Sequence, residues 1–133
     1  MGKRSESVFS KLSIFIEIVD KYDKHVNRRI IAHINHFEIA WCDSRHDGDL
    51  PSGFRAEQDK KVVGPFQLYQ IRVGPGNPPD YRAWVMFLDE GINAYWVYVF
   101  KKGKGRQPED MERARILALR HWEKIKGGTD APR

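Results

Sequence analysis

One cysteine, Cys42, leaves no partner for an internal disulfide, so nothing in the chain requires an oxidising compartment. Histidine is sparse and scattered. His33 and His36 sit three apart, but no third and fourth ligand joins them, so neither a metal set nor a cofactor motif can be drawn. Long apolar runs are missing as well. The N-terminal run is broken by Lys11, Ser13 and Glu17, is too short for a membrane span and lacks a signal-peptide cleavage pattern. No membrane partner and a cytoplasmic location are therefore expected. Internal repeats and low-complexity tracts are also absent.

What is present suits one globular domain over residues 1–133, with 1–7 and 127–133 as frayed ends. Apolar residues make up 41% and aromatics 12%, enough for a packed core at this length. Lys and Arg exceed Asp and Glu by 23 to 18, and the net charge of +5 favours an anionic partner such as nucleic acid.

Residues 8–22 support two readings. Leu12, Ile14, Ile16 and Ile18 alternate as in a strand, whereas Phe9, Leu12, Ile16 and Val19 fall at helical spacing. The length favours a helix, with a short strand at its start as the alternative. Asp23 then reads as an N-cap, and Val26, Ile30, Ile34, Phe37 and Trp41 form one apolar helical stripe, which predicts a helical hairpin. His33 and His36 lie off that stripe and read as surface groups. Residues 43–65 read as a long charged loop broken by Gly48, Pro51, Gly53 and Gly64-Pro65.

Three strands follow at 66–73, 81–88 and 94–102, joined by GPGNPPD and DEGIN. A basic loop, GKGR, leads to a last helix that opens on Pro108 with Glu109 and Asp110 in its first turn. Met111, Ala114, Ala118, Trp122 and Ile125 form its apolar stripe, and Gly127-Gly128 stops it. The fold expected is α+β: an N-terminal helical hairpin on an antiparallel sheet of three or four strands, with a C-terminal helix.

Each of the three strands carries or ends in a cation: Arg72, Arg82, and Lys101 with Lys102; the loop adds Lys104 and Arg106. Such a set matches RNA cleavage by a 2′-hydroxyl. Arginine holds phosphate through paired N–H donors, and lysine supplies point charge and a proton. The bland alternative is ordinary edge-protecting charge at strand ends.

In succession, LYQIRV at 68–73, YRAWVMF at 81–87 and VFKKGKGRQPEDMERAR at 99–115 resemble the RelE/ParE toxin superfamily, most closely its HigB-like, phage-derived branch. FIEIVDKYDKHVNRRIIAHINHF at 15–37 is similar to the family's early helices, more weakly. The resemblance implies a RelE-like fold and the toxin of a type II toxin–antitoxin pair. It further implies a ribosome-dependent mRNA endonuclease that works without metal. Its partners would be the ribosome, mRNA and a cognate helix-turn-helix antitoxin. By position, Arg72, Arg82, Lys101 and Lys102 match the catalytic group, with Gln70, Lys104 and Arg106 as substrate contacts. Relatives often place a Tyr or His near the start of the last helix, where this chain reads PEDMER; Glu109 or Asp110 would be the base there, or a helix cap. A gyrase-directed or non-catalytic member, or a small basic RNA-binding phage accessory protein, are the alternatives.

Overall fold

The computed structural model describes residues 8–43, 54–62, 64–88, 93–103 and 108–128. In chain order these form β1 (Val8–Lys11), α1 (Ser13–Asp20), α2 (Lys24–Asp43), β2 (Glu57–Gln58), β3 (Gln67–Val73), β4 (Tyr81–Leu88), β5 (Asn93–Lys101) and α3 (Pro108–Gly128). The sheet has five strands in the order β1-β5-β4-β3-β2. The meander β3–β4–β5 is antiparallel, as its alternating runs and turns predict. The β-branched and aromatic content of β4 and β5 matches their burial on both faces.

Three expectations need correcting. The sheet has five strands, not three or four, and it is not wholly antiparallel, because β1 runs parallel to β5 with Val8 opposite Asn93. Residues 8–22 follow the alternative reading, a short strand and then a helix, in place of helix throughout: the Leu12 N–H donates to the Trp96 carbonyl at the end of the pairing, and the chain then turns into α1. The helix buries Phe15 and Val19 and exposes Ile16, so the stripe differs from both spacings proposed for it. The two helices also do not pack as a hairpin on itself. α1 seats chiefly on β5 and α2 on β3, side by side over one face of the sheet.

Asp23 does cap α2: the Val26 N–H donates to its carboxylate at 3.0 Å, and the Asn27 N–H to its carbonyl at 2.9 Å. Asp23→Ala should cost about 1 kcal/mol, read as a lower urea midpoint with an unchanged slope.

Two cores flank the sheet. On the α1/α2 face, Ile30, Ile34 and Phe37 at helical spacing meet Ile71, Val85, Phe87 and Trp96. Rings dominate that core: Trp41 stacks on Phe87 at 4.4 Å, and Phe37 meets Trp96 edge-on at 5.8 Å. The indole N–H of fully buried Trp96 donates to Glu38 Oε2 at 2.8 Å, so its burial leaves no orphan donor. On the other face, fully buried Ala114 and Ala118 let α3 lie close over Leu68, Trp84, Met86 and Phe100. A register shift at Trp84/Val85 pairs Trp84 with Tyr98 and Val85 with Trp96. Val97 is thereby left as the extra residue, and Val97 and Tyr98 both join the α3-side core.

Gly74 ties the β3–β4 turn to α2. Its φ of +105° suits glycine, and a Cβ there would lie 2.6 Å from the Tyr81 ring. Its N–H donates to His33 Nδ1 at 2.9 Å. That bond needs an unprotonated Nδ1. Burial, then Arg29 and His36, holds His33 below its ordinary pKa. Burial and Lys124 do the same to His121. With folded pKa values depressed, the unfolded chain binds more protons once pH drops below about 6.5, the ordinary histidine value. The contribution is therefore complete above that pH and is lost as pH falls through the folded values. We expect urea midpoints to fall between pH 7.5 and 5.5, and His33→Gln to flatten that fall.

Candidate nucleic-acid site on the open half of the sheet

The site arises from a change of side-chain character along the α3-facing side of three strands. On β3 the residues run Leu68, Gln70, Arg72; on β4, read backwards, Met86, Trp84, Arg82; on β5 and just past it, Tyr98, Phe100, Lys102. The register places Arg72 opposite Arg82 and Arg82 opposite Phe100, so the polar ends coincide. The Lys102 N–H donates to the Asp80 carbonyl at 2.8 Å, which extends the line by one residue. Helix α3 covers the apolar half and leaves the polar half as a cavity of about 360 Å³.

Arg72, Arg82, Lys61 and Lys102 line this cavity together with Glu57 and Gln70, and Phe100, Met111 and Pro108 add an apolar part. Arg72 and Arg82 are directly opposed cross-strand neighbours, an arrangement in which like charges repel. No carboxylate ion-pairs with either among the described residues. The Arg82 guanidinium is steadied by neutral acceptors, donating from Nη1 to the Tyr81 carbonyl at 3.2 Å and the Pro79 carbonyl at 3.4 Å. Burial, followed by the charge of Arg72, lowers its pKa, with Glu57 and Asp80 opposing. Gln70 Nε2 donates to Glu57 Oε1 at 3.4 Å. Two half-buried guanidiniums without carboxylates between them form a ready anion site.

The structure thus brings together Gln70, Arg72, Arg82 and Lys102. It sets Lys101 apart: exposed and opposite Tyr81, that residue belongs to the α1/α2 side of the sheet. Lys104 and Arg106 lie outside the described residues. Asp110 does not line the cavity. It accepts a 2.7 Å hydrogen bond from the Tyr98 hydroxyl, and burial, then this bond, raises the Tyr98 pKa. Glu109 is exposed on α3 and likewise stands outside the cavity.

Sequence reasoning missed Glu57 and Arg115, and it weighed Lys61 as an RNA contact but favoured ordinary charge of a solvated loop. Arg115 lines the cavity and donates from Nε to Asp59 Oδ2 at 2.6 Å and from Nη2 to Asp59 Oδ1 at 3.3 Å. One signal for it existed: Arg115 lies four residues after Met111, on the same helical face. Glu57 and Lys61 sat in a stretch with no periodicity to read.

No protein-family model matches the chain, and no curated protein matches it significantly. Among solved structures, a chain from the crystal structure of the archaeal RelE–RelB complex from Pyrococcus horikoshii OT3 matches with a TM-score of 0.53. The match covers 75% of this chain and 99% of that one, at 13% identity. The fold is RelE-like. At that identity the likeness concerns architecture, so the RelE-like scaffold gives the setting and the cavity's own side chains must carry the functional argument.

Proposed function

We propose that this chain is the toxin of a type II toxin–antitoxin system, from the HigB-like branch of the RelE/ParE superfamily, and that it cleaves ribosome-bound mRNA. The observation that carries this reading is the opposed Arg72–Arg82 pair in a groove that also holds Lys102. A phosphodiester relieves the repulsion between the two guanidiniums by placing its non-bridging oxygens between them.

In the reaction, the 2′-oxygen attacks the adjacent phosphorus, the bond to the 5′-oxygen breaks, and a 2′,3′-cyclic phosphate and a 5′-hydroxyl result. Arg72 and Arg82 stabilise the charge on the phosphorane. Lys102 donates the proton that the leaving 5′-oxygen takes up. Glu57, the carboxylate among the lining residues, accepts the 2′-hydroxyl proton. Gln70 holds Glu57 and touches substrate; Lys104 and Arg106 add substrate contacts from the basic loop. Lys101 takes no part in the reacting group. The protein partner is a helix-turn-helix antitoxin, and the working site is the cytoplasmic ribosome.

A second reading, RNA binding without cleavage or action on another target such as gyrase, is favoured by one observation. Among the described residues, no imidazole or phenol lines the cavity. Induced expression in bacteria separates the two. Growth arrest with cleaved mRNA supports the ribonuclease. Arrest with intact mRNA supports another target, and unchanged growth with soluble protein present defeats the toxin reading.

A further inference from the structure

The cavity does not end at the arginine pair. From β5 it runs across β4 and β3 to the short edge strand β2 and the turn that follows it, with Lys102 at one end and Lys61 at the other. Three inter-strand steps separate β5 from β2, roughly 14 Å at the usual strand spacing. The Arg72–Arg82 pair, on β3 and β4, lies between these two ends, so Lys61 extends the basic lining beyond it on the β2 side.

Lys61 is held at its end by a specific device. The Asp59 N–H donates to the Leu68 carbonyl at 2.8 Å, which fixes Asp59 against the sheet just past β2. Its carboxylate, with the side chain only 5% exposed, accepts the Lys61 N–H at 3.0 Å and grips Arg115 through two nitrogens. The Val62 N–H donates to the Asp59 carbonyl at 3.1 Å and closes the turn. One carboxylate therefore shapes the turn that carries Lys61 and ties it to α3. Arg115 is spent in this latch, since its remaining Nη1 donates to Glu112 at 3.1 Å. Lys61, by contrast, makes no ion pair among the described residues.

We infer that Lys61 is a second phosphate seat, so that the groove takes a single-stranded RNA across the strands with one phosphate at Arg72–Arg82 and a neighbouring one at Lys61. Asp59 and Arg115 are positioning residues for it. The inference rests on the phosphate-binding role of the arginine pair and extends it to the size of the ligand.

The test compares binding of two uncleavable 2′-O-methyl oligomers, UpU with one phosphate and UpUpU with two, over a salt series. Wild type should bind UpUpU roughly tenfold more tightly than UpU, the effect of one added charge-assisted contact. Lys61→Ala should remove that advantage, leave UpU unchanged and flatten the salt dependence for UpUpU by about 0.7 in log–log slope. Lys61→Arg should restore the advantage, and Lys21→Ala, which removes the same charge elsewhere, should keep it. The pair Asp59→Asn with Arg115→Gln leaves net charge unchanged and should behave like Lys61→Ala. If that double variant fails to fold, the Lys61 variants still decide.

Equal wild-type affinity for UpU and UpUpU, or an unaltered Lys61→Ala, overturns the second seat. A double variant that folds and keeps the wild-type preference overturns the latch as its positioner. Arg82→Ala separates the two levels. Loss of both oligomers there, with Lys61→Ala unaltered, defeats only the extension. Retention of both defeats the arginine site itself, and a wild type that binds neither oligomer at low salt defeats both.

Discussion

Arg82→Ala should abolish growth arrest on induction while leaving the protein folded and soluble. The guanidinium faces Arg72 across the β3–β4 pairing, and its polar contacts are two carbonyls of its own turn. Removing it breaks no ion pair among the described residues and relieves a like-charge contact worth up to about 1 kcal/mol. The lost stem packing and carbonyl hydrogen bonds offset that relief, so the urea midpoint should move little. For the proposed cleavage, one stabilising donor fewer on the phosphorane corresponds to roughly 100-fold or more in rate. The informative result is the contrast: activity lost, stability kept. A residue held only for structure would show the reverse, and arrest that persists in Arg82→Ala at wild-type expression would remove Arg82 from the mechanism.

Phe37→Ala should produce that reverse pattern. Phe37 is fully buried and its ring meets those of Phe9, Trp41, Phe54 and Trp96. It holds α2 to the sheet and also to Phe54, three residues before β2. Truncation removes the ring and leaves a cavity that rigid aromatic neighbours cannot collapse into, so a cost of about 3–5 kcal/mol is expected. That is a large share of the stability of a small domain. Urea unfolding measures it directly; a shift below about 1 kcal/mol would mean that the core repacks freely there. Any activity lost in this variant should return in proportion to the folded fraction as temperature is lowered.

The parts of this molecule that were legible from sequence are those coded by local period. The β3–β4–β5 meander showed itself through alternation and turns, and α3 through Pro108, its acidic first turn and its Ala114–Ala118 stripe. Because the meander register follows from those strands, four expected groups, Gln70, Arg72, Arg82 and Lys102, share one cavity. The Lys101–Lys102 pair shows the limit. Alternation sends neighbours to opposite faces, and which one meets Arg82 depends on a register that contains a bulge at Trp84/Val85. The parallel β1–β5 pairing was not legible, since nothing in residues 8–11 names a partner so far along the chain. β2 is two residues long and carries no pattern. Glu57, Lys61 and Arg115 reach the cavity only through contacts between distant segments, of which the Asp59–Arg115 pair is the clearest.

The parallel strand also governs when the molecule can exist. Val8 and Phe9 of β1 pair with Asn93 and Ala94 of β5. A chain emerging from the ribosome must hold its first strand unpaired until β5 has been made, and a pairing so distant in sequence slows closure of the sheet. Lys102, which completes the basic line of the cavity, comes immediately after β5. Chains that stop short of β5 therefore have neither the β1–β5 pairing nor the full basic line of the cavity. The topology withholds the cavity until β5 and Lys102 have both been made.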